Sequence, residues 1–159
     1  MNIKITKATN DDIEAIVGFQ LRMALETEDL ILDGVVLNEG VKAVIGDPSK
    51  ATYYIARISN VPGVGEGEEV AAGMLMITLE WSDWRNGWVW WIQSVYVREE
   101  FRKYGVFRSL YDHIKQLVIE SNSVRGIRLY VDKRNVKAQK VYEALGMTGE
   151  HYSTFEWMK

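Results

Sequence analysis

The chain contains no cysteine, only two histidines and only two prolines in 159 residues. The absence of cysteine excludes disulfides, thiolate nucleophiles and sulfur-ligated metal. With His113 and His151 as the only imidazoles, a zinc site lacks its usual donors, and no metal is expected. No apolar run approaches the roughly 20 residues that span a bilayer. The start, Met1-Asn2-Ile3-Lys4-Ile5, has no signal-peptide pattern, so a cytoplasmic location is the default expectation. There is no G-x-x-x-x-G-K-S/T phosphate loop, and Ser109 lies inside a helical pattern rather than on a nucleophile elbow. Nucleotide hydrolysis and serine hydrolysis are therefore poorly supported.

The composition is that of an ordinary globular chain, 47% hydrophobic and 26% charged, which argues against disorder. Its length suits one domain over residues 1–159. The net charge of −3 is unevenly spread. Residues 98–140 hold 11 Lys/Arg against 5 Asp/Glu, a local +6, and the remainder carries −9. A basic block in an acidic chain suits a small polyanion better than nucleic acid.

Alternation predicts a first strand over 2–8, and Thr9 with Asp12 resembles a capping box. Ile13, Ile16, Val17, Gln20, Leu21 and Ala24 then keep helical spacing. The stretch 26–34 reads as acidic and irregular, followed by a short helix over 38–46 that ends at Gly46-Asp47-Pro48. Strands are expected over 51–58 and 69–81, and the Asn86-Gly87 pair marks a hairpin turn into a third over 88–97. That third strand is apolar on both faces, as a covered central strand would be. A helix over 104–119, a strand over 127–131, a helix over 135–145 and a last strand over 150–158 complete a β-α-α-β-β-β-α-β-α-β order. The class is α/β with a mixed sheet.

The run Val95-Tyr96-Val97-Arg98-Glu99-Glu100-Phe101-Arg102-Lys103-Tyr104-Gly105-Val106-Phe107-Arg108 delivers an apolar strand into the N-terminus of an amphipathic helix. Unpaired N–H groups, a positive dipole end, Gly105 and three basic side chains together make an anion site. A second constellation runs from Asn135 to Met147. There Asn135 is a natural N-cap, and Ala138, Tyr142 and Leu145 share one helical face.

Together these two segments resemble the GNAT superfamily of N-acetyltransferases. The first is similar to its R-x-x-G-x-G/A acetyl-CoA motif, at Arg102, Gly105 and position 107; the second to its N-x-x-A-x-x-x-Y-x-x-L-G-F/M segment. The resemblance implies a GNAT-like fold, a mixed sheet with splayed central strands and about four helices. It implies pantetheine paired with the strand at Val95, Tyr96 and Val97. It places the pyrophosphate on N–H groups from Arg102 through Lys103, Tyr104, Gly105, Val106 and Phe107 to Arg108, with Asn135 and Ala138 beside the pantetheine arm. Tyr142 would protonate the departing thiolate while an amine attacks the acetyl group, and the Val95 N–H would polarise the carbonyl.

Two positions depart from that pattern. Phe107 stands where a small residue usually lets the backbone approach phosphate. Trp90 and Trp91 stand where many relatives carry a basic glutamate on the central strand, so Glu80 becomes the candidate base, with Glu26 and Glu28 as alternatives. Carboxylates and aromatic faces suit a cationic amine, and Glu26, Glu28, Trp84 and Gln93 are the candidate acceptor-binding residues. The partner expected is a small primary amine, with neither nucleic acid nor membrane. The short C-terminal piece would leave a sheet edge open to a homodimer. The rival reading is a non-catalytic domain that binds acyl-CoA as a sensor or interaction module.

Overall fold

A computed structural model describes residues 1–149 and 151–159. They fall into two compact units, Met1–Leu129 and Tyr130–Lys159. The first unit is a five-stranded sheet with helices on both faces. Its strands are β1 (Asn2–Lys7), β2 (Thr52–Ser59), β3 (Val70–Ser82), β4 (Gly87–Val97) and β5 (Val124–Leu129). They lie in sequence order; β1 to β4 are antiparallel neighbours, and β5 joins β4 in parallel.

Helices α1 (Ile13–Glu28) and α2 (Gly34–Gly46) cover one face. Ile16 and Phe19 of α1 and Val41 of α2 pack there with Tyr53, Ile55, Met74 and Tyr96 of the strands. Tyr54 is one residue on from Tyr53 and so points to the opposite face. Its ring meets His113 of α3 (Val106–Glu120), with centroids 5.5 Å apart. Val106, Leu110 and Ile114 of α3 are fully buried, at the i, i+4, i+8 spacing of a core-facing stripe. The mixed sheet between two helical layers is the expected architecture.

Four boundaries differ from the sequence reading. Helix α1 continues through Glu28, so Glu26 and Glu28 occupy its last turn rather than an irregular loop. Helix α2 starts four residues early, because the Asp33 carboxylate caps it by accepting from the Val35 and Val36 N–H groups at 2.8 and 3.1 Å. Strand β5 begins at Val124 and ends at Leu129, opposite Ile92, rather than covering 127–131. The expected strand over 150–158 is the largest difference. Glu150 lies outside the described residues, and residues 151–159 form no strand. Tyr152, Phe155, Trp157 and Met158 are each more than four-fifths exposed.

The second unit contains α4 (Val136–Ala144). Asn135 caps it, its side-chain oxygen accepting from the Ala138 N–H at 3.0 Å. Gly146 ends it in the left-handed region that an L side chain adopts only with strain.

Candidate functional site

The site begins with an irregularity in β4. Met76 faces Ser94 and Ile77 faces Ile92, so Gln93 is an extra residue, a β-bulge. Before it, the Trp88 N–H donates to the Ser123 carbonyl, on the β5 side. After it, the Arg98 N–H donates to the Ala72 carbonyl, on the β3 side. Amide direction alternates along a strand. With Arg98 turned to β3, the N–H and C=O groups of Val97 and Val95 are turned away from it. Pairing with β5 stops at Ile92, so those groups lie on a free strand edge. An extended ligand carrying amides can add to that edge as another strand would.

The edge feeds a 3₁₀ turn over Glu99–Tyr104 and then Gly105, whose φ of +76° opens α3. The first helical bond is Ser109 N–H to Gly105 carbonyl at 3.0 Å. The Val106, Phe107 and Arg108 N–H groups therefore have no acceptor within the helix. No side chain caps this end. A Cβ at Gly105 would meet nothing within 4 Å, so glycine serves the positive φ and leaves open room beside the amides. The Phe107 ring lies beside Tyr111 one turn on, with centroids 6.3 Å apart. Its bulk runs along the helix, and the backbone amide stays at the helix mouth. Lys103 and Arg108 are exposed, and Tyr104 packs near Phe101 at 6.4 Å.

Arg102 is already engaged. Its Nη2 pairs with the Glu26 carboxylate, and its Nε donates to the Val97 carbonyl at 3.0 Å. Its guanidinium also lies 5.6 Å from the centre of the Tyr96 ring. The Tyr96 hydroxyl donates to Glu26 at 2.7 Å. Burial alone would raise the Glu26 carboxyl, but the Arg102 and Tyr96 donors, with Arg22 adding charge, hold it below its ordinary value. Burial, and then the Glu26 carboxylate, push the Tyr96 phenol up. Residues 76 apart in sequence, one expected at each ligand, thus hold each other.

Glu80 is also occupied. It pairs with Arg128 of β5 at 2.8 Å and accepts from the Trp91 indole N–H. The Arg128 guanidinium lies 5.9 Å from the Trp91 ring centre. The carboxylate expected to act as the base is thus held by two donors from β4 and β5. Gln93 is exposed at the bulge and meets Thr78 at 3.3 Å. Glu28 is exposed on the last turn of α1. Trp84, 89% exposed, sits at the tip of the β3–β4 hairpin. Gly87 and Gln93 are six positions apart on β4, about 20 Å at 3.3 Å per residue, so Trp84 does not join the bulge and the edge.

One cluster escaped the sequence reading. Gln20 of α1 is buried, and its amide nitrogen donates to the Tyr53 hydroxyl at 3.2 Å and to the Ser94 hydroxyl at 3.1 Å. It pins the strand immediately after the bulge. A glutamine in the middle of an apolar helical stripe was the available signal.

In the second unit, Tyr142 lies one helical turn beyond Ala138 and is half-buried. Burial pushes its phenol above the ordinary value. Among the described residues, no group of side chains could hold a metal ion, and no helix is long and apolar enough to cross a membrane.

A bulged central strand whose edge runs into a glycine-opened helix is the arrangement the family resemblance implied, and comparison with known proteins bears on it directly. The sequence model of the Acetyltransferase (GNAT) family matches residues 38–147. The chain is similar to a possible acetyltransferase from Clostridium difficile 630, with 38% identity, a TM-score of 0.86, and 100% of this chain and 99% of that one covered. The fold also matches the aminoglycoside N-acetyltransferase AAC(6')-Iy in complex with CoA at 16% identity and TM-score 0.75, over 99% of this chain and 95% of that one. A ribosomal-protein-alanine N-acetyltransferase from Brucella melitensis biovar Abortus 2308 matches at 13% identity and TM-score 0.73, over 99% and 100%. No curated protein matches the chain. The chain belongs to the GNAT family of acetyltransferases.

Proposed function

We propose that the chain transfers an acetyl group from acetyl-CoA to the nitrogen of a small cationic amine, by direct attack with both substrates bound. The observation that carries this is the free edge of β4 at Val95 and Val97, continuous with the uncapped N-terminus of α3. Its outward amides match the amide-bearing arm of CoA. The N–H groups in the first turn of α3 match its pyrophosphate. Asn135 and Ala138 are assigned to the pantetheine arm by their place in the family motif. Acetyl-CoA supplies an activated acetyl thioester.

The Val95 N–H, turned to the free edge, is the donor for the acetyl carbonyl oxygen, where negative charge develops. Tyr142 is the general acid, giving its phenolic proton to the sulfur as the carbon–nitrogen bond forms and the carbon–sulfur bond breaks. A phenol is protonated at neutral pH, and burial pushes this one further up. The attacking amine must be neutral, so its own proton leaves to solvent, and the Tyr142 proton is restored from the same source. The acceptor class rests on the acidic residues Glu26, Glu28, Asp29 and Asp33 at and after the end of α1, and on the aminoglycoside acceptor of one structural neighbour.

The test is free-thiol release from acetyl-CoA with a panel of polyamines, aminoglycosides, arylalkylamines and a peptide with a free N-terminus, for the wild type and Tyr142→Phe. Amine-dependent thiol release that falls about a hundredfold in Tyr142→Phe is the expected result. CoA binding without any amine-stimulated release would favour the sensor reading, and rapid release with the peptide alone would move the acceptor to a protein N-terminus.

A further inference from the structure

Arg102 sits in the segment that the proposed reading gives to the pyrophosphate, yet two of its three guanidinium nitrogens are spent on the protein. One holds Glu26 and one holds the Val97 carbonyl. That carbonyl lies on the free edge, where the pantetheine arm is placed. The ligand therefore meets the same obstacle twice: its amide N–H competes with Arg102 Nε for the Val97 oxygen, and its phosphates compete with Glu26 for the guanidinium. A dianionic pyrophosphate outbids one partly exposed carboxylate for an arginine.

Glu26 is a different group once Arg102 leaves. It stays fixed by the Tyr96 hydroxyl at 2.7 Å, on the last turn of α1, where the negative end of the helix dipole adds to its charge. While latched, the pair is neutral and has little pull on a cation. Unlatched, it presents one oriented carboxylate at the cofactor edge.

We propose that Glu26 holds Arg102 in the unliganded chain, that CoA takes the arginine from it, and that the released carboxylate is the subsite for the acceptor's ammonium group. Cofactor binding then strengthens amine binding, with a reciprocal effect of the amine on the cofactor. This inference rests on the acetyl-CoA reading above and adds a latch between the two ligands and a cation subsite to it.

The experiment is calorimetric titration with CoA of the wild type, Glu26→Gln, Arg102→Gln and the double variant, each checked for folding by circular dichroism. Removing the competitor makes CoA bind about three- to fivefold tighter to Glu26→Gln, the scale of a half-exposed ion pair. The same substitution has no effect in the Arg102→Gln background. Glu26→Asp, one methylene too short to reach the guanidinium, also tightens binding and serves if the glutamine variant does not fold. Unchanged or weaker CoA binding by Glu26→Gln overturns the latch. A wild type that does not bind CoA overturns the acetyl-CoA reading itself, a separate result. For the amine acetylated fastest in the panel, Glu26→Gln raises the amine KM at least about tenfold; an unchanged amine KM overturns the cation subsite.

Discussion

Replacing Gln20 by leucine tests whether a buried amide holds the bulged strand in place. Gln20 is 8% exposed, and both of its N–H bonds are used, one on Tyr53 and one on Ser94. Each bond contributes about 1 kcal/mol net, and each stranded hydroxyl adds part of its desolvation cost, so the loss is about 3 kcal/mol. For a chain of this length that lowers the melting temperature by roughly 6–12 °C. Adding Tyr53→Phe removes one stranded hydroxyl, so in the Gln20→Leu background it costs about 1 kcal/mol less than in the wild type. Urea unfolding followed by tryptophan fluorescence measures all four corners of the cycle. Thiol release measured well below the melting temperature should also fall, because Ser94 precedes the proposed donor Val95. Equal cost of Tyr53→Phe in both backgrounds would refute the coupling, and full stability of Gln20→Leu would refute the role of the amide altogether.

Gly105→Ala meets no atom but must hold φ at +76°, so it costs about 1–2 kcal/mol of backbone strain. Gly105→Asn, which tolerates that region better, costs less; equal costs in thermal melts would contradict the argument. The Tyr142 phenol is raised, so it keeps its proton as pH rises past 10, the ordinary value. With Tyr142 as the proposed acid, the alkaline limb of the kcat profile lies above about pH 10 and is absent in Tyr142→Phe; a Tyr142-dependent limb near pH 8 would exclude it as the acid. The Glu26 carboxyl is depressed from 4.5, so its contribution to stability is present above that pH and is lost as pH falls through its lower folded value. The pair is half-exposed, so the amount is well under about 1 kcal/mol. Melting temperatures from pH 6 to 3 should fall less steeply in Glu26→Gln, and parallel curves would deny the pairing in solution.

Much of the fold was legible because patterning and punctuation agree. The apolar run from Trp88 to Val97 marked the central strand, Asn86-Gly87 its turn, and Asn135 the cap of α4. The bulge was not legible, since one extra residue inside a continuously apolar strand leaves no break in the pattern. The hold of Glu26 on Arg102 was not legible either: each residue signalled a ligand, and only the fold brings α1 beside the edge of β4. The end of α1 was misread because its acidic last turn resembles a loop in composition. The tail over 151–159 was misread because composition alone does not show whether a segment joins a sheet, and these residues form no strand.

The sequential strand order bears on how the chain is made. Each of β2, β3 and β4 pairs with the strand synthesised just before it; β2–β3 and β3–β4 are short-range hairpins that can zip up as the polypeptide leaves the ribosome, whereas β1 meets β2 only across α1 and α2. β5 is the last strand made and must wait for the α3 crossover before it finds its place. It docks along the first part of β4 and stops at Ile92, so the last strand to arrive is the one that decides how much of the β4 edge stays open. A substitution that slows this final docking would delay the appearance of ligand binding during refolding and leave the earlier gain of sheet signal untouched.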